Sequence, residues 1–138
     1  MKEEMKTALV AAALEARKKS YCPYSGFAVG AALITDEGKI YTGANIESSS
    51  YTPTVCAERV AMFSAVHSGE RNFRAIAVVG GKQNSEPSAK TPPCGVCRQV
   101  IAEFCNGEFE ILLYDGKEIS TYTLDELLPL GFGKKDLM

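Results

Sequence analysis

Apolar residues recur along this chain with two periods, and each period predicts a different kind of element. Over residues 5–19 the apolar positions lie three and four residues apart, which predicts an amphipathic helix. Residues 23–26, which include a proline and a glycine, end that helix. Residues 27–35 and 39–45 have the composition of strands, and the segment Asp36-Glu37-Gly38 between them predicts a hairpin turn.

The second half of the chain predicts helices and strands in alternation. The predicted helices cover residues 56–68, 94–105 and 123–128, and the predicted strands cover residues 75–80, 111–114 and 117–122. Polar loops connect them at residues 47–54 and 83–93. Alternating strands and helices imply an α/β fold with helices on both faces of one sheet. We therefore predict one domain over residues 1–138, a three-layer α/β/α sandwich whose central mixed sheet has about five strands.

Composition narrows the function classes without identifying one. The chain has 138 residues, of which 46% are hydrophobic, and a net charge of −2 with a pI of about 5.5. This charge gives no attraction to phosphate backbones, so nucleic acid is disfavoured as a substrate. No segment has the roughly 20 consecutive apolar residues of a membrane span, and residues 1–6 lack the apolar core of a secretory signal. We expect a cytoplasmic protein without a membrane partner.

Three cysteines and a glutamate form the chemical signature of the chain. Cys56 and Glu58 are separated by one residue, and Cys94 and Cys97 follow downstream in a P-C-x-x-C segment. Catalytic zinc takes three protein ligands and leaves the fourth position to water, whereas structural zinc takes four. Right-handed crossovers would place the two following helices side by side, so that Cys56 approaches the other pair. The sequence predicts one Zn²⁺ per subunit, bound by Cys56, Cys94 and Cys97.

The cysteine pair also has simpler interpretations. A C-x-x-C segment by itself more often indicates half of a structural zinc site or a redox pair. A redox pair would leave Cys56 and Glu58 unexplained. A structural zinc site needs a fourth ligand, but the only histidine, His67, lies about three helical turns beyond Cys56. Cys22 and Cys105 remain, and an odd count of cysteines indicates no disulfide framework and suits a reducing compartment.

Glu58 and two arginines complete the predicted site. Glu58 lies in the first turn of a predicted helix, and its predicted role is to carry protons. It would take a proton from water, deliver it to a ring nitrogen and later protonate the leaving amine. Arg59 and Arg98 follow the two thiolate segments, and we expect both to donate hydrogen bonds to the sulfurs. This layout resembles that of the zinc deaminases, and the resemblance implies a hydrolytic reaction.

Further motifs extend the pattern over nearly the whole chain. They are Tyr24-Ser25-Gly26-Phe27-Ala28-Val29-Gly30-Ala31-Ala32, Gly43-Ala44-Asn45-Ile46-Glu47, Cys56-Ala57-Glu58-Arg59, Pro93-Cys94-Gly95-Val96-Cys97-Arg98-Gln99 and Leu127-Leu128-Pro129-Leu130-Gly131-Phe132. With these motifs the chain resembles the cytidine deaminase family, in its short class that forms zinc-dependent homotetramers. The resemblance implies hydrolysis of cytidine and deoxycytidine to uridine and deoxyuridine, a reaction of pyrimidine salvage, with ammonia released.

The resemblance also implies contacts with a small-molecule nucleoside. Phe27 would pack against the pyrimidine ring, which is flat and apolar. Asn45 and Glu47 would hydrogen-bond the ribose hydroxyls, and the backbone N–H of Ala57 would donate to the carbonyl of the base. Without the resemblance, Phe27 is more often a core residue, Asn45 a turn residue and Glu47 a solvated charge.

Two aromatic residues are implied to act across a subunit boundary. In the homotetramer that the resemblance implies, Tyr51 and Phe132 would reach into the site of a neighbouring subunit. The chain departs from the family pattern here, because the family commonly has Tyr-Gly before the first ligand and this chain has Tyr51-Thr52-Pro53. Pro53 fixes φ and the permissive glycine is lost, so we expect the loop to take a different path.

Three rival functions are compatible with the same residues. A relative in the same superfamily would deaminate a nucleoside-like antibiotic or another aminated base, although Asn45 and Glu47 favour an unmodified sugar. A non-catalytic, zinc-stabilised binding domain would have no use for Glu58 beside an open coordination position. Polynucleotide editing would need a basic groove and stacking aromatic residues, and the charge balance gives no sign of the groove.

Overall fold

A five-stranded mixed sheet forms the centre of the computed structural model, which describes all residues from 1 to 138. The strands are β1 Phe27–Thr35, β2 Ile40–Ala44, β3 Phe73–Lys82, β4 Glu110–Tyr114 and β5 Ile119–Thr123. The helices are α1 Glu3–Arg17, α2 Ala57–His67, α3 Gly95–Phe104 and the short α4 Leu124–Leu127, and a 3₁₀ turn follows at Lys134–Asp136. None of the helices is long and apolar enough to cross a membrane.

The directions of the strands decide where the helices begin. The order across the sheet is β2-β1-β3-β4-β5, with β1 antiparallel to both of its neighbours. β3 and β4 are parallel, and β5 is antiparallel to β4. Since β2 and β3 run in the same direction, their carboxyl ends lie at the same edge of the sheet. The helices that follow these strands, α2 and α3, therefore begin at that edge.

Helices cover both faces of the sheet. Successive residues of β1, β3 and β4 point to opposite faces, so each strand contributes to two separate cores. The core under α2 and α3 includes Leu33, Met62, Ile76, Val78 and Ile101. The core under α1 includes Leu9, Ala13, Ile34, Val79 and Leu112. Burying one aliphatic side chain of this size contributes about 1.5–3 kcal/mol. The predicted three-layer α/β/α sandwich with five strands is confirmed.

Two glycines let the helices approach the sheet closely. A Cβ atom at Gly30 would collide with the backbone of α1, at the carbonyl oxygen of Ala13 and the nitrogen of Arg17. A Cβ atom at Gly43 would lie 2.5 Å from the Ala57 carbonyl oxygen of α2. A Cβ atom would come too close to backbone atoms at both positions, so both require glycine. Gly43 in this way sets how closely the first turn of α2 packs on β2.

The predicted elements agree with the structure in order and type. α1 begins at Glu3, before the apolar period starts, because acidic residues favour the positive end of a helix. β3 extends beyond the predicted residues 75–80, since it pairs with β1 along the whole of β1. The 3₁₀ turn at Lys134–Asp136 was not predicted, because three residues are too few to show a period.

Candidate metal and catalytic site

Three thiols converge where α2 and α3 begin. Cys56 is the residue before α2, Cys94 is the residue before α3, and Cys97 lies in the first turn of α3. The backbone N–H of Cys97 donates to the sulfur of Cys94 at 3.4 Å, so this sulfur also caps α3. Because both helices begin at one edge of the sheet, Cys56 and Cys94 meet although 38 positions separate them in the sequence.

The spacing of the sulfurs fits a tetrahedral metal ion. Cys56 Sγ lies 3.7 Å from Cys94 Sγ, and Cys94 Sγ lies 3.4 Å from Cys97 Sγ. All three sulfurs lie within 4.8 Å of one another. Sulfurs at the usual bond length around tetrahedral zinc would be about 3.8 Å apart. The cluster contains these three residues alone, so the donor set fits a zinc ion with a fourth position left open.

The cluster stabilises negative charge on sulfur. A hydrogen bond from the Cys97 thiol, together with the Arg59 guanidinium, lowers the pKa of Cys56 to about 5. The pKa of Cys97 is raised, because its proton is shared with Cys56 and the thiol is buried beside Glu58. The N-termini of α2 and α3 add positive potential at the same point. The site therefore favours the thiolate form of Cys56, and the thiolate is the form that binds metal.

The two arginines differ in what they contact. Arg59 Nη2 donates to Cys56 Sγ at 3.5 Å, and the hydrogen bond raises the pKa of Arg59, so the guanidinium stays charged. Its buried Nε has no hydrogen-bond partner. Arg98 instead donates from Nε to the Pro93 carbonyl at 2.7 Å and from Nη1 to the Leu127 carbonyl at 2.6 Å. Arg98 thus contacts the backbone next to the cluster and no sulfur, unlike the sequence-based expectation.

Glu58 is a buried carboxyl group beside the thiols. It lies in the first turn of α2 and is 4% exposed. Burial raises the pKa of Glu58 to about 7, and the negative charge of Cys56 adds to the rise. The thiols of Cys56 and Cys97 act on this pKa in opposite directions, because both lie close to the carboxyl group. A carboxyl group with a pKa near neutral can both accept and donate a proton at physiological pH.

A short extended segment connects this cluster with the other predicted site residues. Ile46 pairs with Tyr21 on one side and with Val55 on the other. Ile46 and Val55 exchange two backbone hydrogen bonds, each of 3.0 Å. Val55 directly precedes the first cysteine, and Ile46 lies between Asn45 and Glu47. The pairing therefore brings these two polar residues alongside the metal loop.

The amide of Asn45 is buried and holds the start of β1. Its Nδ2 donates to the Phe27 carbonyl at 2.8 Å, and its Oδ1 accepts from the Val29 N–H at 2.9 Å and from the Ser20 hydroxyl. One N–H of this amide remains for a ligand, because Nδ2 carries two donors. Phe27 is 43% exposed, so its ring offers aromatic surface at the beginning of the same strand.

Glu47 is held by the loop before β1. Its carboxylate accepts from the backbone N–H of Tyr24 at 3.0 Å, from that of Ser25 at 3.1 Å and from the Ser25 hydroxyl. The Tyr24 ring meets the Tyr51 ring edge to face, with the centroids 6.4 Å apart. Tyr51 has φ of +62°, a conformation that glycine adopts more readily. The loop therefore turns at Tyr51 itself, without the glycine of the family pattern.

The structure thus forms two groups of predicted site residues and one separate segment. The first group is the cluster with Glu58 and Arg59, and the second is Phe27, Asn45 and Glu47. Phe132 belongs to neither, since its carbonyl accepts from Gln99 Nε2 at 2.6 Å while 57% of the residue is exposed.

Sequence reasoning missed the residues that hold the second group in place. Ser20 and Ser25 donate to Asn45 and Glu47, yet hydroxyl residues are common in turns and carry no signal alone. The one available sign was the place of Ser25 inside the motif that contains Phe27.

Comparison with known proteins finds relatives over most of the chain. Residues 3–112 match the sequence model of a family described as the cytidine and deoxycytidylate deaminase zinc-binding region. A cytidine deaminase from Sporosarcina psychrophila is 49% identical over 94% of this chain and 92% of that protein. A blasticidin-S deaminase from Bacillus cereus is 36% identical over 75% of this chain and 76% of that protein. The crystal structure of cytidine deaminase from Burkholderia pseudomallei matches with a TM-score of 0.84 and 43% identity, over 96% of this chain and 100% of that chain.

Proposed function

This chain belongs to the family with the cytidine and deoxycytidylate deaminase zinc-binding region, and we propose that it catalyses zinc-dependent hydrolytic deamination of cytidine and deoxycytidine. The products are uridine or deoxyuridine and ammonia, so the reaction serves pyrimidine salvage. The observation that carries the proposal is the buried carboxyl group of Glu58 beside three thiols that leave one coordination position open.

The proposed chemistry assigns the metal to the thiols and the protons to Glu58. Cys56, Cys94 and Cys97 would hold a zinc ion, which would supply the Lewis acidity that lowers the pKa of water to near neutral. Glu58 takes a proton from the water and delivers it to a ring nitrogen as the oxygen adds to C4 of the base. Glu58 then carries the remaining hydroxyl proton to the amine, which leaves as ammonia while a carbonyl forms at C4.

The proposed substrate contacts follow from the groups that remain free. The backbone N–H of Ala57, the first residue of α2, has no intrahelical acceptor and would donate to the base carbonyl. Phe27 would pack on the base with its exposed ring. The free N–H of Asn45 and the charged carboxylate of Glu47 would bind the ribose hydroxyls.

The two arginines would act on the metal through the groups that they hold. Arg59 places a positive charge 3.5 Å from the sulfur of Cys56, which would offset the electron donation of three thiolates. Arg98 would act indirectly. It fixes the carbonyl of Pro93, which is the residue before Cys94.

We also propose a homotetramer in which neighbouring subunits complete each site. Leu130 is fully exposed with φ of +54°, a strained conformation for a branched side chain. Phe132 and Tyr51 are 57% and 73% exposed. Large side chains held out into water at these positions support contacts with a partner subunit. Tyr51 and Phe132 would enter the site of a neighbouring subunit.

The proposed setting is the cytoplasm, with residues 1–138 acting as one domain on a small nucleoside. All five cysteines are free thiols, as a reducing compartment would keep them. The net charge of −2 supports a small substrate rather than a nucleic acid.

Ultraviolet absorbance of cytidine and deoxycytidine during incubation with the purified protein tests the proposal, with bound zinc quantified on the same sample. We expect the cytosine absorbance to fall in a sample with about one zinc per chain. Bound zinc without turnover of either nucleoside would contradict the proposal and would favour a non-catalytic, zinc-stabilised domain or another aminated base.

A nucleoside antibiotic is a second candidate substrate, because a blasticidin-S deaminase is 36% identical over 75% of the chain. The same assay with blasticidin S compares the two candidates directly. We expect a higher kcat/KM for cytidine, since Asn45 and Glu47 present groups that match free ribose hydroxyls. If kcat/KM were higher for the antibiotic, blasticidin S rather than cytidine would be the preferred substrate.

A further inference from the structure

The loop before β1 directs three hydrogen-bond donors at one carboxylate. Oε1 of Glu47 accepts from the backbone N–H groups of Tyr24 and Ser25 at 3.0 and 3.1 Å, and Oε2 accepts from the Ser25 hydroxyl. Residue Gly26, at φ of +66°, makes the turn that closes this loop, and its N–H donates to the Cys22 carbonyl at 2.9 Å. The loop is therefore shaped to hold Glu47 in one orientation.

The Ser25 hydroxyl has a second hydrogen-bond partner besides Glu47. It accepts from the backbone N–H of Phe27 at 3.0 Å while it donates to Glu47. A hydroxyl has a single proton to donate, so the acceptance from Phe27 leaves that proton for the carboxylate. Ser25 therefore links the start of β1, where the Phe27 ring is exposed, to the carboxylate of Glu47.

The count of acceptor positions limits what Glu47 can do for a ligand. A carboxylate offers about four acceptor positions, and the loop fills three of those on Glu47. Hydrogen bonding from Ser25 also holds the pKa of Glu47 below its ordinary value, so the group stays ionised and cannot donate. Glu47 forms no salt bridge, and one acceptor position of fixed direction remains for a ligand hydroxyl.

We propose that Ser25 is a positioning residue, whose hydroxyl fixes the Glu47 carboxylate so that its one remaining acceptor position receives a sugar hydroxyl while Phe27 meets the base. The inference rests on the proposed function, because it takes the sugar contact of Glu47 from there. It adds that recognition of the sugar depends on a serine that does not touch the substrate itself.

Substitutions at Ser25 separate the effect of the hydroxyl from the effect of side-chain volume, because threonine and valine have the same shape. Ser25→Thr keeps the hydroxyl and Ser25→Val replaces it with a methyl group, while Ser25→Ala removes it without added volume. Each is assayed with cytidine and with 2′,3′-dideoxycytidine, which lacks both sugar hydroxyls. With cytidine we expect Ser25→Ala and Ser25→Val to lose about 10-fold in kcat/KM, mainly through KM, and Ser25→Thr to stay within about 3-fold.

With 2′,3′-dideoxycytidine we expect all three variants to stay within about 2-fold of the wild-type kcat/KM, because no sugar hydroxyl depends on Glu47. Tyr41→Phe is the matched control, since it also removes a hydroxyl that donates to a carboxylate, that of Glu70 at 2.8 Å, at the far end of β2. Tyr41→Phe should leave kcat/KM unchanged with both substrates. Zinc content and the thermal midpoint of each variant verify folding, and Ser25 is exposed, so truncation leaves no cavity.

Equal losses with cytidine and with the dideoxynucleoside would overturn the proposal, because Ser25 would then only support the turn. The same conclusion would follow if Ser25→Val matched Ser25→Thr with cytidine. Failure of the proposed function has a different signature, which is a zinc-loaded wild-type protein that leaves cytidine unchanged.

Discussion

Glu58 and the thiols beside it shift each other's protonation, although only the thiols belong to the metal cluster. The fold buries Glu58 without a salt bridge, so burial and the charge of Cys56 raise its pKa to about 7. The carboxyl group is not one of the three residues suited to hold the metal. At the scale of single residues, the proton transfer that we propose for Glu58 and metal binding by the thiols can therefore be tested by separate substitutions.

Glu58→Gln should keep about one zinc per chain and lose about 10²–10⁴-fold in kcat with cytidine, because an amide of the same shape cannot carry a proton. Steady-state kinetics and metal analysis of the same preparation measure both quantities. Glu4→Gln, at an exposed position of α1, is the control and should match the wild type. Near-normal turnover of Glu58→Gln would mean that another group transfers the proton.

At the scale of elements, the metal cluster depends on the exact seating of two helices. The thiols lie at or beside the first residues of α2 and α3, so a shift of either helix moves a ligand. Gly43 seats α2 on β2, and Gly30 seats α1 on the opposite face of the sheet. Arg98 ties the loop before α3 to the end of α4 through two carbonyls.

Gly43→Ala should weaken both folding and zinc binding. The added Cβ would press on the Ala57 carbonyl and on the Ala61 nitrogen at 2.6 Å, and relief requires movement of the helix start that carries the first cysteine. We expect a loss of about 1–3 kcal/mol in the free energy of unfolding, as overpacked sites show. Urea unfolding measures this loss, and competition with a chromophoric chelator measures zinc affinity.

Gly30→Ala is the matched control for this prediction, because it presses on α1, which contributes no ligand. It should cost a similar free energy of unfolding and leave zinc affinity unchanged. Equal zinc affinities in the two variants would contradict the idea that the seating of α2 controls the cluster.

Arg98→Gln should weaken zinc binding by about 10- to 100-fold, in the range seen when a group that orients a metal ligand is lost. The arginine fixes the Pro93 carbonyl at 2.7 Å, one residue before Cys94, and glutamine cannot bridge both carbonyls. Arg71→Gln is the control, since the Arg71 guanidinium also donates to two carbonyls, of Val66 and Glu70, away from the cluster. Zinc transfer to a chelator, followed at a temperature well below unfolding, measures the difference.

At the scale of the whole molecule, the C-terminal segment leaves an apolar surface uncovered. Leu130 is fully exposed and Phe132 is 57% exposed, while the Phe132 carbonyl is fixed to α3 through Gln99. The backbone is therefore held in place while the side chains point into water. Such a surface is stabilised when another subunit covers it, because burial of apolar area is the main favourable contribution to association.

Leu130→Lys should lower the mass of the assembly in sedimentation equilibrium, since a charge would have to be buried at the proposed interface. We expect the wild type at four times the chain mass of 14.9 kDa and the variant at a smaller multiple, with a matching loss of turnover. Ile40→Lys is the control, because it changes an exposed apolar residue at the first position of β2. It should leave the mass of the assembly unchanged. A monomeric wild type would contradict the tetramer.

The sequence by itself determined the elements and the ligand chemistry, because both are local properties. Hydrophobic period and turn residues act within a few positions, and the order and type of all four helices and five strands follow from them. Cys94 and Cys97 lie three residues apart at a helix start, so their sulfurs meet within one turn. The predicted α/β fold and the zinc chemistry are accordingly borne out.

Only the tertiary structure decided how the second group of residues is held. Ser25 and Glu47 are 22 positions apart and meet because Ile46 pairs with Tyr21 and Val55, a register that no local pattern encodes. For the same reason, the expectation from the sequence that Arg98 donates to a sulfur is wrong. Its guanidinium donates to two carbonyls, which belong to separate elements. Residue types and spacing set which chemistry is available, and the packing of distant segments sets which atoms are in reach of one another.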